Sequence, residues 1–137
     1  MYVAKNKVRM HDTDMAGIIF FASQFRFIHD AWEDLMSHEE LSFDHLFTSE
    51  TYAFVIVHAE SDYLAPLKAG DALEIHLAIE KIGNSSFTVS YKVYKSDKTL
   101  VGTAKTVHVT INRETRKTIP LPEKLKAILQ KYAIVRP

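Results

Sequence analysis

Between residues 72 and 111 the side chains alternate. Leu73, Ile75, Leu77 and Ile79 interleave with Glu74, His76, Ala78 and Glu80, and Phe87, Val89, Tyr91 and Val93 interleave with Thr88, Ser90, Lys92 and Tyr94. Successive side chains of a strand point to opposite faces, so a period of two demands a half-buried sheet and is incompatible with a helix, whose apolar positions recur every three or four residues. The breaks at Gly83-Asn84 and Ser96-Asp97-Lys98 have hairpin length, and a Thr- and Val-rich run from Thr99 to Ile111 follows them. Strands joined by hairpins run antiparallel.

Upstream, FVIVHAESDY at 54 to 63 is β-branched and aromatic and is closed by Pro66 and Gly70-Asp71. Residues 2 to 10 read as an edge-like strand. Between them, Phe21, Phe25, Ile28, Trp32, Leu35 and Met36 form a helical stripe of roughly four turns, with Arg26, Asp30, Glu33 and Asp34 on the other face. No element is assigned to residues 37 to 52. The tail from Pro120 begins with prolines suited to a helix start and spaces Leu121, Leu125, Ile128 and Leu129 on one face, which predicts a short terminal helix. The expectation is α+β: one domain over residues 1 to 137, with one long helix on an antiparallel sheet of about five strands. The open edges of such a sheet predict a homodimer closed edge to edge.

Composition narrows the chemistry. Seventeen basic against seventeen acidic residues leave no net field for nucleic acid. The absence of cysteine excludes disulfides, thiolate nucleophiles and Cys-held metals. Neither an export signal nor an apolar run of roughly 18 residues is present, so a soluble cytoplasmic protein without membrane contact is expected. The four glycines form no dinucleotide or phosphate loop, and there is no Gly-x-Ser-x-Gly or His-Glu-x-x-His motif. Seven histidines lack the company of metal ligands, so neither a metal nor a cofactor is expected.

What remains is His11-Asp12-Thr13-Asp14-Met15-Ala16-Gly17, directly before the long helix. Asp and Thr in that place serve as ordinary helix caps. Alternatively, one carboxylate turns into a cleft while backbone N–H groups at the helix start face a developing oxyanion. The two roles are compatible, one Asp for each.

The stretch HDTDMAGIIFFASQFRFIHDAWE resembles the D-x-D-x-x-G opening of the hotdog-fold acyl-CoA thioesterases of the 4-hydroxybenzoyl-CoA thioesterase group. Tyr63 to Leu73, with Pro66, Gly70 and Asp71, is similar to that family's Y-x-x-P-x-x-x-G-D-x-L stretch, and Gly83 to Phe87 to its next turn. The resemblance covers about residues 3 to 112. It implies a helix wrapped by a curved sheet and subunits joined through their sheets as a dimer or a dimer of dimers, a homotetramer. Asp14 would be the catalytic carboxylate, as nucleophile or general base, with Asp12 structural. Gly17 would let the chain pass close to the acyl carbonyl, and the Phe21 backbone N–H, at the helix start, would be the oxyanion donor.

The pair Phe20-Phe21 departs from the Tol–Pal-associated branch, which carries His at the second place. Phe20-Phe21-Ala22 and the His29-x-x-x-Glu33 spacing are instead similar to the 1,4-dihydroxy-2-naphthoyl-CoA thioesterases of quinone biosynthesis. Phe20, Phe25, His29 and Glu33 would then line the acyl site, although His29 and Glu33 equally suit a surface ion pair. Lys81, Asn84, Ser85 and Ser86 are the CoA-binding candidates and are equally ordinary hairpin residues. The implied reaction is hydrolysis of an aromatic acyl-CoA. The alternatives are a broad-specificity aliphatic acyl-CoA thioesterase and a non-catalytic acyl-CoA-binding protein.

Overall fold

The alternation becomes the two faces of one five-stranded antiparallel sheet in the order β1-β3-β4-β5-β2. The structure, a computed structural model, describes residues 1–134. Its strands are β1 (Tyr2–Lys7), β2 (Tyr52–Tyr63), β3 (Ala72–Ile82), β4 (Ser86–Lys95) and β5 (Leu100–Asn112). Its α-helices are α1 (Ser23–His38), α2 (Phe43–Ser49) and α3 (Glu123–Lys131), and Met10–Asp12 form a single 3-10 turn. Along β3 and β4 the apolar members of each pair are buried, and the polar members lie outward.

β3, β4 and β5 are consecutive hairpin strands, but β2 pairs with β5 and forms the far edge. The link from β2 to β3 therefore crosses the sheet instead of turning back. Its backbone is tied down on the way: Leu64 N–H donates to Val101 O, Leu67 is buried, and Leu67 O accepts the Ile19 N–H at 2.9 Å. At the other edge β1 covers β3 only as far as Leu77. Beyond that point Tyr132 O accepts the Ile79 N–H and Ile134 N–H donates to Ile79 O, each at 2.9 Å, so the segment after α3 takes over from β1.

α1 begins at Ser23, two residues later than the stripe suggests. Its buried face is Gln24, Phe27, Ile28, Ala31, Trp32, Leu35 and Met36. Phe21 is 64% exposed in the turn ahead of the helix, and Phe25 is only half-buried. Neither aspartate of the 11–17 segment caps α1, whose N-cap is Ala22 without a side-chain bond. Residues 13 to 19 close on themselves through a Thr13–Ile19 bridge.

The segment without an assigned element contains α2. Ser42 Oγ accepts the His45 N–H at 3.2 Å at its start, an ordinary N-cap. Its last carbonyls are met from 63 to 67 residues away: Arg113 Nη1 donates to Leu46 O, Phe47 O and Glu50 O at 2.9 to 3.0 Å. A helix of seven residues is too short to persist alone, so a partner distant in sequence decides it.

One glycine marks a close approach between α1 and the sheet. A Cβ on Gly102 would lie 2.3 Å from Gln24 Oε1, and Gln24 is fully buried, its Nε2 donating to Ser61 Oγ and to Asp62 O. Gly102→Ala is expected to lower stability by about 1–3 kcal/mol, as overpacking does. Thermal unfolding checks this, and the double variant Gly102→Ala, Gln24→Ala should lose less than the sum of the single changes because the two sites share one space.

Candidate active site

The loop between β1 and α1 is organised by Asp12. Its side chain is buried and accepts the Arg9 N–H at 2.8 Å, Arg26 Nε at 2.8 Å and Arg26 Nη2 at 2.6 Å. Its carbonyl accepts both the Phe20 N–H at 2.7 Å and Ser23 Oγ–H at 3.0 Å. Burial alone would raise the Asp12 carboxyl, but the Arg26 hydrogen bonds, the Arg9 N–H and the charges of Arg26 and His11 outweigh it and hold the group below the ordinary carboxylate value. Arg26 also reaches Asp30 at 2.9 Å, one helical turn on. Asp12 thus ties the start of the loop to its end and to α1.

Asp14 has the opposite surroundings. It is exposed, and among the described residues its Oδ1 accepts only the Ala16 N–H, at 2.9 Å. Asp14 N–H donates to Ile18 O and Gly17 N–H to Asp14 O, both at 3.0 Å, so the loop is a tight turn that presents this carboxylate at its tip. Gly17 sits there with φ +80° and open space where a Cβ would be. It is needed for the left-handed backbone and not for crowding.

The same turn leaves a backbone donor free. Phe20 N–H is spent on Asp12 O and Ser23 N–H on Phe20 O, whereas the Phe21 N–H has no acceptor among the described residues. The peptide after Phe21 is held by the Tyr63 hydroxyl, which donates to Phe21 O. Phe20 and Phe21 pack ring against ring at 4.6 Å. A fixed, unspent N–H at the entrance of a helix can stabilise charge developing on a carbonyl oxygen, and an exposed carboxylate on the same loop can serve as nucleophile or general base.

A cavity of about 390 Å³ lies along α1, lined by Phe25, His29, Ile56 and Ala59 among others. His29 and Ile56 also line a second cavity of about 190 Å³ beneath α2, which ends on Trp32 and His108. Phe25 and His29 are therefore brought together as the spacing suggests. Glu33 is exposed, lines neither cavity and makes no ion pair with His29 among the described residues.

The CoA candidates stand elsewhere. Lys81, Asn84, Ser85 and Ser86 surround the β3–β4 turn, at the end of the sheet where Ser86 pairs with Val109, whereas the Asp14 loop lies at the other end, where Val8 N–H meets Asp71 O. β3 has 11 residues between those ends, a span of about 35 Å at the usual strand rise. Within one chain they do not meet Asp14. Part of that turn is also engaged in the fold: Asn84 O accepts the Leu121 N–H and Ser85 O the Thr110 N–H, each at 2.9 Å.

Sequence reasoning passes over four residues that matter here. Arg26 reads as one charge of a polar helix face, and Trp32 as core. His108 reads as one residue of a Thr- and Val-rich run, and the structure buries it. Tyr63 did carry a signal, since it opens the Y-x-x-P stretch. Among the described residues no group of three His, Cys, Asp or Glu could hold a metal ion, and no helix is long and apolar enough to cross a membrane.

A family model for the thioesterase-like superfamily matches residues 8–129. A 1,4-dihydroxy-2-naphthoyl-CoA hydrolase from Nostoc punctiforme is 36% identical over 118 residues, 86% of this chain and 79% of that protein. One of the same name from Synechococcus elongatus is 35% identical over 130 residues, 94% of this chain and 95% of that protein. Among solved structures, a 1,4-dihydroxy-2-naphthoyl-CoA thioesterase from Synechocystis superposes with a TM-score of 0.88 at 30% identity, covering 94% of this chain and 95% of that one.

Proposed function

This chain belongs to the thioesterase-like superfamily, and from that premise we propose that it hydrolyses an aromatic acyl-CoA, 1,4-dihydroxy-2-naphthoyl-CoA, to the free acid and CoA. The observation that carries the reading is the pairing, on one loop, of the exposed Asp14 carboxylate with the unspent Phe21 N–H. The relatives above, which act on that substrate by name, support the choice of acyl group.

A thioester carbonyl is already electrophilic, so positioning and an oxyanion donor supply much of the rate without metal or triad. Asp14 is the carboxylate of this reaction. It either attacks the acyl carbon, expelling CoA thiolate and leaving an anhydride that water opens, or takes a proton from the water that attacks. In both routes negative charge grows on the carbonyl oxygen, where the Phe21 N–H donates, and the thiolate leaves with a proton as CoA. The acyl ring lies along α1 over Phe25 and His29, with Phe20 and Phe21 at the mouth and Glu33 outside the cavity. Gly17 sets the turn that carries Asp14.

The rest of the reading concerns assembly. Residues 1–137 act as one thioesterase domain, with α1 the long central helix that the curved sheet wraps. β2 is an unpaired edge with Val55, Ile56 and Val57 exposed, a surface suited to a second copy. Antiparallel pairing of two β2 edges about a two-fold axis reverses one sheet relative to the other. It carries the β3–β4 turn of the partner subunit, with its CoA candidates, toward the Asp14 end of the first. The active site then straddles a homodimer, and two dimers associate into a homotetramer in the cytoplasm.

Thiol release by the purified protein from a panel of acyl-CoAs tests the function. kcat/KM for the dihydroxynaphthoyl thioester is expected to exceed that for straight-chain thioesters by about a hundredfold or more. A flat or aliphatic-favouring profile would move the protein to the broad-specificity branch, and no release from any thioester would leave only acyl-CoA binding.

A further inference from the structure

The link from β2 to β3 grips the loop that carries Asp14 at three places. Ahead of the loop, Gly70 N–H donates to Val8 O at 2.8 Å and Val8 N–H to Asp71 O at 2.9 Å. Behind the Asp14 turn, Ile19 N–H donates to Leu67 O at 2.9 Å. Last comes the Tyr63 hydroxyl, which donates to Phe21 O. Tyr63, Gly70 and Asp71 all belong to the Y-x-x-P-x-x-x-G-D stretch, and of these contacts only that of Tyr63 is made by a side chain.

Phe21 stands between two peptide planes. The first carries Phe20 C=O and Phe21 N–H, which point opposite ways in a trans peptide. Phe20 O accepts the Ser23 N–H at 2.8 Å, so the Phe21 N–H faces away from Ser23. The second plane carries Phe21 C=O, and its side-chain partner is Tyr63. Only the two backbone torsions of Phe21 relate these planes, so holding both planes fixes both torsions. Without the Tyr63 hydroxyl the second plane is free to turn, and the first, held by a single turn bond, can turn with it.

The arm that holds the second plane is rigid. Tyr63 is the last residue of β2 and pairs with Gly102 of β5, and the next two N–H groups, of Leu64 and Ala65, donate to Val101 O at 2.9 and 3.3 Å. Its outer end is open to solvent: Tyr63 is 45% and Phe21 64% exposed. Water can therefore replace the lost hydroxyl at Phe21 O, and the fold does not depend on this bond. The donor does depend on its direction, because an oxyanion donor acts only when it is aimed before the reaction, and small misplacements are costly.

We propose that Tyr63 is a positioning residue for thioester hydrolysis, its hydroxyl holding the peptide after Phe21 so that the Phe21 N–H stays aimed at the acyl carbonyl oxygen. This rests on the thioesterase reading for the reaction, and the aim of the donor can also be measured without turnover.

Tyr63→Phe removes the hydroxyl and keeps the ring. In the full-length protein it is expected to lower kcat for dihydroxynaphthoyl-CoA about tenfold, less than the 10²- to 10³-fold lost when an oxyanion donor is removed outright. KM should stay within about twofold, since Tyr63 is assigned to the turn and not to the substrate. Tyr63→Ala should lose no more than a further threefold. Binding of two inert analogues isolates the carbonyl: S-(2-naphthoylmethyl)-CoA is a ketone, and S-[2-(2-naphthyl)ethyl]-CoA has a methylene in its place. The wild type should prefer the ketone by about three- to tenfold, the range of one hydrogen bond, and Tyr63→Phe by less than twofold.

A folded Tyr63→Phe with kcat within threefold of wild type, or with the full ketone preference, would overturn the proposal. So would an active Tyr63→Phe beside an impaired Tyr63→Ala, which would make the ring a packing element. Those outcomes leave the thioesterase reading intact. No thiol release by the wild type from any thioester would instead sink that reading, and the Phe21 amide then decides on Tyr63 without a ligand. Its NMR order parameter should fall from a rigid value of about 0.85 to below about 0.6 in Tyr63→Phe, and an unchanged value would show that the hydroxyl does not hold the turn.

Discussion

Asp14→Asn is expected to lower kcat for thioester hydrolysis by about 10²- to 10⁴-fold, the range lost with a general acid–base group. The substitution isolates the charge. Asn keeps the Oδ1 that accepts the Ala16 N–H, so the turn from Thr13 to Ile19 and its Gly17 conformation should survive. Circular dichroism and the melting temperature should match the wild type, and CoA affinity should stay within about twofold, because no phosphate contact is assigned to this loop. Single-turnover rates with the naphthoyl thioester give the number directly. A variant as active as the wild type would remove Asp14 from the mechanism and leave the loop as a structural turn.

Asp12→Ala should do something different to the same loop: unfold it. Removing the carboxylate strands Arg26, the Arg9 N–H and the anchoring of α1 together. Breaking a buried charged pair costs several kcal/mol, and we expect about 3 kcal/mol here, the low end, because Arg26 keeps a third of its side chain in solvent. Urea unfolding at pH 7 measures this. Acid supplies a second check whose sign follows from the lowered Asp12 pKa. A carboxyl held below its ordinary value contributes stability above pH ~4, and that contribution is lost as the pH falls through the folded value. The gap between wild type and Asp12→Ala should therefore be full at pH 7 and narrow as the pH drops below about 4. A gap that stays constant into acid would show that the ion pair is not its source.

These two aspartates, two residues apart, show how far the sequence carries. The resemblance separates their roles, and the structure supplies the reason for the part given to Asp12: one side chain is enclosed by Arg26 and Arg9, while the other meets only its own turn. Local capping logic offers either aspartate to the helix start, but the N-cap is Ala22 and neither side chain caps it. The helix stripe is legible in its inner residues, Ile28, Trp32, Leu35 and Met36, and misleading at its start. Phe21 looks apolar and periodic but sits exposed ahead of Ser23. A free backbone N–H leaves no trace in residue type, so only the resemblance could point to it. The proximity of Lys81 and Asn84 to Ser86 is legible as a hairpin. Their distance from Asp14 is not, because it depends on which end of β3 each loop leaves.

By itself the sequence determined the sheet, since strand alternation and hairpin length are local properties written in consecutive residues. It also narrowed the candidate chemistry to carboxylates and histidines, because the chain has no cysteine and no recognised nucleophile or phosphate motif. Tertiary structure decided the rest. It placed β2 at the edge beside β5, closed α2 with the guanidinium of Arg113, and brought His108 and Trp32 to the wall of one cavity. Each of those outcomes joins residues far apart in the chain, where the free energy comes from shared burial and hydrogen bonds that no short window of sequence contains.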